Sequence, residues 1–213
     1  LITRIFGGGK EAAIPLAETR KSRLSEIGAT GTQIFSSMVV QDEYNDQLKG
    51  LTGLKTYDKM MKDGQVAFIM KFLTSIIRAL KMHIEAASDD SKDQEIAEFV
   101  ERCYHKGMSI TWDDYLRHTL LMLRYGFMPF EKVWKVEGGK YVWRKFAPRL
   151  PKSITQFIVD DEGGLAGIRQ RAYSAKGIID VTIPVEKLIL FTNDREGSDF
   201  YGKSILLSAY KHW

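Results

Sequence analysis

The sequence predicts an α+β fold in which several helices pack on a mainly antiparallel sheet. Helical patterns dominate as far as residue 126, strand patterns dominate after it, and the links between the predicted strands are too short for parallel crossovers. Of the 213 residues, 44% are hydrophobic and 27% are charged, which is ordinary for a globular protein and excludes wholesale disorder.

Residues 1–44 lack the periodicity of the rest of the chain. They combine Gly7-Gly8-Gly9 and Pro15 with scattered basic residues, so we expect an N-terminal arm or linker. Residues 45–203 are expected to form the main domain, and residues 204–213 to begin a further helix. Because the chain starts at Leu1 and stops within that helical pattern, we expect it to be part of a longer protein.

The first helical patterns lie between residues 57 and 80. Residues 57–62 predict a short helix that ends at Asp63-Gly64. Residues 66–80 predict a long helix that is apolar over most of its circumference, so we expect it to belong to the core. Four polar residues interrupt this run, which is too short to span a bilayer: Lys71, Thr74, Ser75 and Arg78.

Two amphipathic helices with capping patterns are predicted next, after an alternating stretch at residues 81–86 that is typical of a strand. Ser91 and Gln94 have capping-box spacing and start a helix that ends near Gly107, in which Cys103 lies on the apolar side and should be buried. Thr111 and Asp114 repeat that spacing, and the following helix ends near Gly126.

Strand patterns fill the region after Gly126. Two hairpins are predicted, one around Gly138-Gly139 and one around the acidic turn at residues 160–164. The predicted strands are residues 127–136, 141–146, 156–159, 165–172, 178–183 and 188–191.

Residues Gly197–Ser204 fit the pattern G-x-x-x-x-G-K-S between a predicted strand and a predicted helix, which is the context of a phosphate-binding loop. Such a loop cradles phosphates with small residues, whereas this one carries Asp199, Phe200 and Tyr201, with further acids just upstream. We therefore favour a turn followed by a helix start capped by Ser204, with nucleotide binding as the alternative.

Other candidate sites have structural interpretations. The histidines lack metal-ligand spacing, and one cysteine cannot complete a zinc site. The pair Asp113-Asp114 suits a helix N-terminus, and the aromatics Trp134, Tyr141 and Trp143 among basic residues suit a core better than a platform for single-stranded nucleic acid. We assign no catalytic, cofactor-binding or metal-binding residue, and we expect no enzyme. The histidines considered are His83, His105, His118 and His212.

Several short sequence segments resemble, in their order and spacing, the N-terminal half of Mu-like phage portal proteins over about residues 45–213. The segments include residues 84–90, 96–100, 112–115, 125–127, 130–134, 191–194, 201–206 and 209–213. The resemblance implies that residues 45–203 form the wing of a portal subunit and that residues 204–213 lead toward a stem beyond Trp213. It also implies that ATP hydrolysis belongs to a separate motor.

The resemblance further implies a ring of identical subunits, a dodecamer, at one capsid vertex of the virion, assembled in the host cytoplasm. Its partners would be the major capsid protein, the large terminase and a head-tail adaptor, with double-stranded DNA passing non-specifically and no membrane involved. The net charge of +4 permits a polyanionic partner without the clustered basic stripe of a dedicated DNA reader. A weakly basic chain suits a channel through which DNA slides.

Overall fold

A computed structural model describes residues 28–175 and 177–213 of the chain. The helices and strands given below belong to one compact unit, residues 31–213. Most of the predicted arm, residues 1–27, lies outside the described residues.

The helices occupy the first part of this unit, and their ends follow local capping chemistry. Thr111 caps the fourth helix as predicted, since its hydroxyl accepts from the backbone N–H of Asp114. The third helix is capped by Asp90 instead of Ser91, and it ends in a π-helical turn at Cys103–Gly107, close to the predicted end. The helices are α1 Gly50–Met60, α2 Gly64–Ala79, α3 Ser91–Arg102, α4 Trp112–Thr119 and α5 Leu121–Tyr125.

Two predictions in this region are wrong. The short helix expected at residues 57–62 begins earlier, at Gly50, and Asp63 starts α2 because its carboxylate accepts from the N–H groups of Gln65 and Val66. Residues 81–86 are irregular instead of extended in a sheet. Alternation alone does not make a strand, and these residues pair with no strand in the described part of the chain.

The strands form two antiparallel sheets, which confirms the α+β class. The strands are β1 Ile34–Phe35, β2 Met38–Val39, β3 Phe127–Glu137, β4 Lys140–Pro148, β5 Ile154–Val159, β6 Leu165–Ser174, β7 Gly177–Pro184 and β8 Leu188–Thr192. One sheet has five strands in the order β1-β2-β5-β6-β7, and the other has three in the order β4-β3-β8. Both predicted hairpins are present, as β3–β4 and β5–β6.

The short hairpin β1–β2 falls within residues 1–44, which the sequence assigned to the arm. Its turn is made by Ser36 and Ser37, both with positive φ, and Met38 pairs with Ile158 in the five-stranded sheet. A tight hairpin turn usually requires Gly or Asn at such positions, so its sequence pattern is absent here. Residues 34–39 are therefore part of the sheet.

Helix α2 is also different from the prediction. Met70 is buried against the body of the protein, but many apolar side chains of α2 face outward. An apolar circumference predicts burial on every side, whereas neighbouring elements cover one side. Within residues 28–175 and 177–213, no helix has the length and apolar character needed to cross a membrane.

Residues 204–213 do not form the predicted α-helix. Turns occupy most of this segment, and Tyr210–His212 form a short 3₁₀ helix. Leu207 N donates to Ser204 O and Tyr210 N to Leu207 O, which are the i to i+3 bonds of turns and 3₁₀ helices. Ile205 N donates to Leu123 O of α5.

Candidate functional site

The loop at Gly197–Ser204 follows β8 but does not begin an α-helix. Its backbone N–H groups bond within the protein: Ser198 N donates to Thr32 Oγ1 (2.9 Å), Tyr201 N to Asp199 Oδ1 (3.0 Å) and Lys203 N to Asn193 O (2.8 Å). A phosphate-binding loop needs such donors to point at the ligand. In this loop the three N–H groups donate to oxygen atoms of the protein and are not directed at a ligand.

The charges of the loop also oppose a triphosphate. Lys203 Nζ forms an ion pair with Glu196 at 2.5 Å. Burial raises the pKa of Asp199 above its usual range, and the nearby charge of Asp42 adds to the rise, although the Tyr201 N–H opposes it. With its lysine paired and carboxylates on both sides, the loop is electrostatically unsuited to polyanions. Of the two interpretations of the motif, the geometry supports the turn.

The second glycine of the motif has a packing role. Gly202 has φ +57°, and a Cβ built on it would lie 2.4 Å from Asn193 O and 2.6 Å from Gly126 O. Gly126 has φ +91°, and its Cβ would lie 2.4 Å from Tyr201 O. The two glycines therefore allow the backbone of the loop at residues 201–202 to lie directly on the junction between α5 and β3.

Hydrogen bonds complete this attachment, which we call the C-terminal clamp: residues 123–126 with residues 193 and 202–206. The buried hydroxyl of Ser204 donates to Arg124 O (2.6 Å) and accepts from Leu206 N (3.0 Å). Asn193 N donates to Gly126 O (2.8 Å), and its side-chain amide donates to Lys203 O (2.8 Å). The clamp fixes where the chain leaves the sheet.

A second polar constellation joins three elements around Asp58 of α1. Its carboxylate pairs with Arg124, accepts from Tyr125 Oη (2.6 Å) and pairs with Lys152 Nζ (2.6 Å) in the 3₁₀ turn Pro151–Ser153. Partial burial would raise the pKa of Asp58, but the bonds from Lys152 and Tyr125 and the charge of Arg124 lower it below its usual range. Asp58 is thus held as an anion.

Sequence reasoning missed the Asp58 cluster. Its partners are 66 to 94 positions away from it along the chain, so no local spacing connects them. The cluster pairs opposite charges without a nucleophile or an adjacent base, and it is suited to bracing α1 against α5.

An open groove of about 860 Å³ lies beside this brace. Its lining includes Leu48, Leu54, Tyr57 and Ile154, together with residues 170–173 of β6, near the turn of the β6–β7 hairpin. Both signs of charge are present around the groove. The lining of the groove therefore combines apolar side chains with charged side chains of both signs. Such a lining suits a peptide segment better than a phosphate.

The remaining candidates fall in separate places. In the described part of the chain, no three His, Cys, Asp or Glu side chains come together in a group that could hold a metal ion. Cys103 is buried as predicted, and Asp160 Oδ1 accepts from Glu162 N and Gly164 N in the predicted hairpin turn. His83 contacts Glu85, and His118 contacts the Asp114 carbonyl.

The aromatic prediction holds for one of its three residues. Trp143 packs on Tyr104 and Phe146 in the core, whereas Trp134 and Tyr141 are exposed. Asp113 lies at the start of α4, where it forms a two-pronged ion pair with Arg78 of α2. This contact braces the end of α2 against α4.

Comparison with protein families gives a match over most of the chain. The family model described as the portal protein of Mu bacteriophage matches residues 54–213. The match includes α2, the strands β3 to β8, the Asp58 cluster and the whole C-terminal clamp, whereas β1 and β2 lie before it.

Proposed function

This chain belongs to the Mu bacteriophage portal protein family, and on that premise we propose that identical copies form the portal ring at one capsid vertex. The family match over residues 54–213 carries the proposal. Double-stranded DNA would pass through this ring during packaging and ejection. The ring is proposed to be a dodecamer that assembles in the host cytoplasm and becomes part of the virion.

We propose three parts within the chain. Residues 1–44 act as an arm that is attached to the five-stranded sheet through the β1–β2 hairpin, residues 45–203 as the wing, and residues 204–213 as the connection toward a stem. The C-terminal clamp supports this division because it fixes the outgoing segment to the end of α5. A firmly held exit would transmit position between wing and stem.

The partners proposed for the ring are the major capsid protein around it, the large terminase during packaging and a head-tail adaptor afterwards. Double-stranded DNA is proposed to slide through without sequence-specific contacts. A net charge of +4 supports sliding, because each phosphate held by Lys or Arg would add affinity and resist movement.

We propose a structural role without catalysis for the chain. The committed N–H donors and the Lys203–Glu196 ion pair of Gly197–Ser204 support this proposal. Energy for packaging would come from ATP hydrolysis by a separate motor protein.

Electron microscopy of the full-length protein tests the ring directly. We expect closed rings with a central hole wide enough for a DNA duplex, and native mass spectrometry should give twelve subunits. Particles that stay monomeric at every concentration would contradict the ring, and a different subunit number would contradict the dodecamer alone.

Equilibrium binding of ATP with magnesium tests the nucleotide-binding alternative. We expect no binding by the wild type or by Lys203→Ala. Saturable binding by the wild type that Lys203→Ala abolishes would show that Gly197–Ser204 holds phosphates after all.

A further inference from the structure

The outward face of α2 carries an apolar stripe, which we call the α2 stripe. Its six members recur one, three and four residues apart and face away from the body in which Met70 is buried; five lie within the helix, and Leu80 is its C-cap. Each is at least 40% exposed. The members are Phe68, Ile69, Phe72, Leu73, Ile76 and Leu80.

The size of the α2 stripe is unusual for a surface that faces water. Phe68 and Phe72 are 68% and 56% exposed, so their rings alone present about 250 Å². With four large aliphatic side chains added, the stripe exceeds the few hundred Å² of apolar patch common on monomers. It approaches the roughly 800 Å² that one partner contributes to a standard interface.

A second apolar surface lies on the far part of the β6–β7 hairpin, and we call it the ribbon surface. Beyond the buried pair Ile168 and Ile183, both strands become exposed. Ile179 and Val181 continue the face of Ile183, whereas Tyr173 and Ile178 form the opposite face. These four side chains are 39% to 85% exposed. A two-stranded ribbon with apolar side chains on both faces is marginal in water without a partner.

We propose that the α2 stripe of one subunit packs against one face of the ribbon surface of the next subunit around the ring, the face formed by Ile179 and Val181. This inference rests on the proposed function. A ring of identical subunits needs head-to-tail contacts between two different surfaces, and these two surfaces are formed by different residues of one chain. A contact of α2 with its own copy would close a dimer and leave the ribbon surface exposed.

The charges on the two surfaces permit such burial. The members of the α2 stripe are all apolar, so covering them desolvates no ion. On the ribbon, the guanidinium of Arg171 already bonds both carboxylate oxygens of Asp180, at 2.9 and 3.1 Å. The contact therefore brings no unpaired charge into the interface, which is the usual penalty when apolar surfaces meet. Adjacent to the ribbon, the groove of about 860 Å³ gives room for the helix edge.

Disulfide trapping tests the contact. Cys103 is buried and is the sole cysteine in the sequence, so the wild type offers no accessible thiol. We expect a 1:1 mixture of Phe72→Cys and Ile179→Cys to give a disulfide-linked dimer on oxidation, while neither variant alone does. The double variant should give a ladder of linked subunits. Ile96→Cys, on the exposed face of α3, is the matched control and should not link to Phe72→Cys.

The outcomes separate the contact from the ring. If microscopy shows rings of the cysteine variants but the mixture does not link, or if Phe72→Cys links to itself, the proposed contact is wrong and the ring stands. A linked mixed dimer without closed rings would support the contact and contradict the ring. If the mixture does not link and microscopy shows no rings, both the contact and the ring are wrong.

A charge variant provides a second measurement. Phe72→Asp should lower the fraction of protein in rings at least tenfold, because an unpaired carboxylate would be buried at the contact. Ile96→Asp should leave that fraction unchanged, and circular dichroism should show both variants folded. Normal rings from folded Phe72→Asp would overturn the proposal.

Discussion

Gly126 and Gly202 bring two stretches of backbone closer than any side chain would allow. Gly202→Ala must place a methyl group 2.4 Å from Asn193 O as well as adopt a positive φ. Gly138 has nearly the same φ, +58°, with no atom within 4 Å of its Cβ position. The pair therefore separates the cost of close approach from the cost of backbone conformation.

We expect Gly202→Ala to destabilise the protein by about 1–3 kcal/mol more than Gly138→Ala, since it overpacks the clamp. Urea unfolding of both variants against the wild type measures the difference. Equal costs would mean that the backbone at residue 202 has room to move, and the packing role of this glycine would be wrong.

Asp58 gives the second prediction at this scale. Asp58→Asn should cost about 2 kcal/mol at pH 7, because Arg124 and Lys152 lose their counter-charge in a partly buried place. Since the pKa of Asp58 is lowered in the folded state, its contribution is complete above the ordinary carboxyl pKa and disappears as the pH falls through the lowered value.

The difference in unfolding free energy between wild type and Asp58→Asn should therefore shrink below about pH 4. Urea titrations at several pH values measure it. Glu95→Gln is the control, because Glu95 is exposed and its ion pair with Lys140 is long, at 4.0 Å. This substitution should change the unfolding free energy little at any pH. A difference that grows as the pH falls would contradict the ionised state of Asp58.

At the level of elements, local chemistry was predictable and the exposure of α2 was not. The cap at Thr111 and the turn at Asp160 depend on atoms within four residues, so the sequence predicts them. The exposure of α2 depends on which distant elements reach it, and the same apolar pattern fits a core helix or an interface. Residues 204–213 likewise form turns and a short 3₁₀ helix instead of the predicted α-helix, and their start is bonded to α5 through Ile205 N and Leu123 O, a long-range contact that no local pattern predicts.

Two adjacent residues of α2 test which side is buried. Met70→Ala should cost about 2–4 kcal/mol, because it leaves a cavity against the body, while Ile69→Ala should cost less than about 0.5 kcal/mol. Urea unfolding at a protein concentration where the chain is monomeric compares them. A large cost at Ile69 under these conditions would show that the outward side of α2 is covered within one chain.

Across residues 31–213, aromatic packing joins the two sheets. Phe127 of β3, Phe157 of β5 and Tyr201 before the clamp meet edge to face, with ring centroids 4.8 to 5.8 Å apart. The sequence predicted β3 to β8 but missed β1 and β2, and it predicted one sheet instead of two. Short connections fix which neighbours form hairpins, but they leave the long-range partner of β8 undetermined. The joint between the sheets is thus invisible to local patterns.

This aromatic joint predicts that the two sheets unfold together. Phe157→Ala should cost about 3–5 kcal/mol and lower the urea midpoint seen by far-ultraviolet circular dichroism and by tryptophan fluorescence equally. Phe157 belongs to the five-stranded sheet, whereas Trp112, Trp134 and Trp143 report on the three-stranded sheet and the helix beside it. A shift in circular dichroism without a matching shift in fluorescence would mean that each sheet is stable without the other, and that Phe127, Phe157 and Tyr201 touch without coupling them.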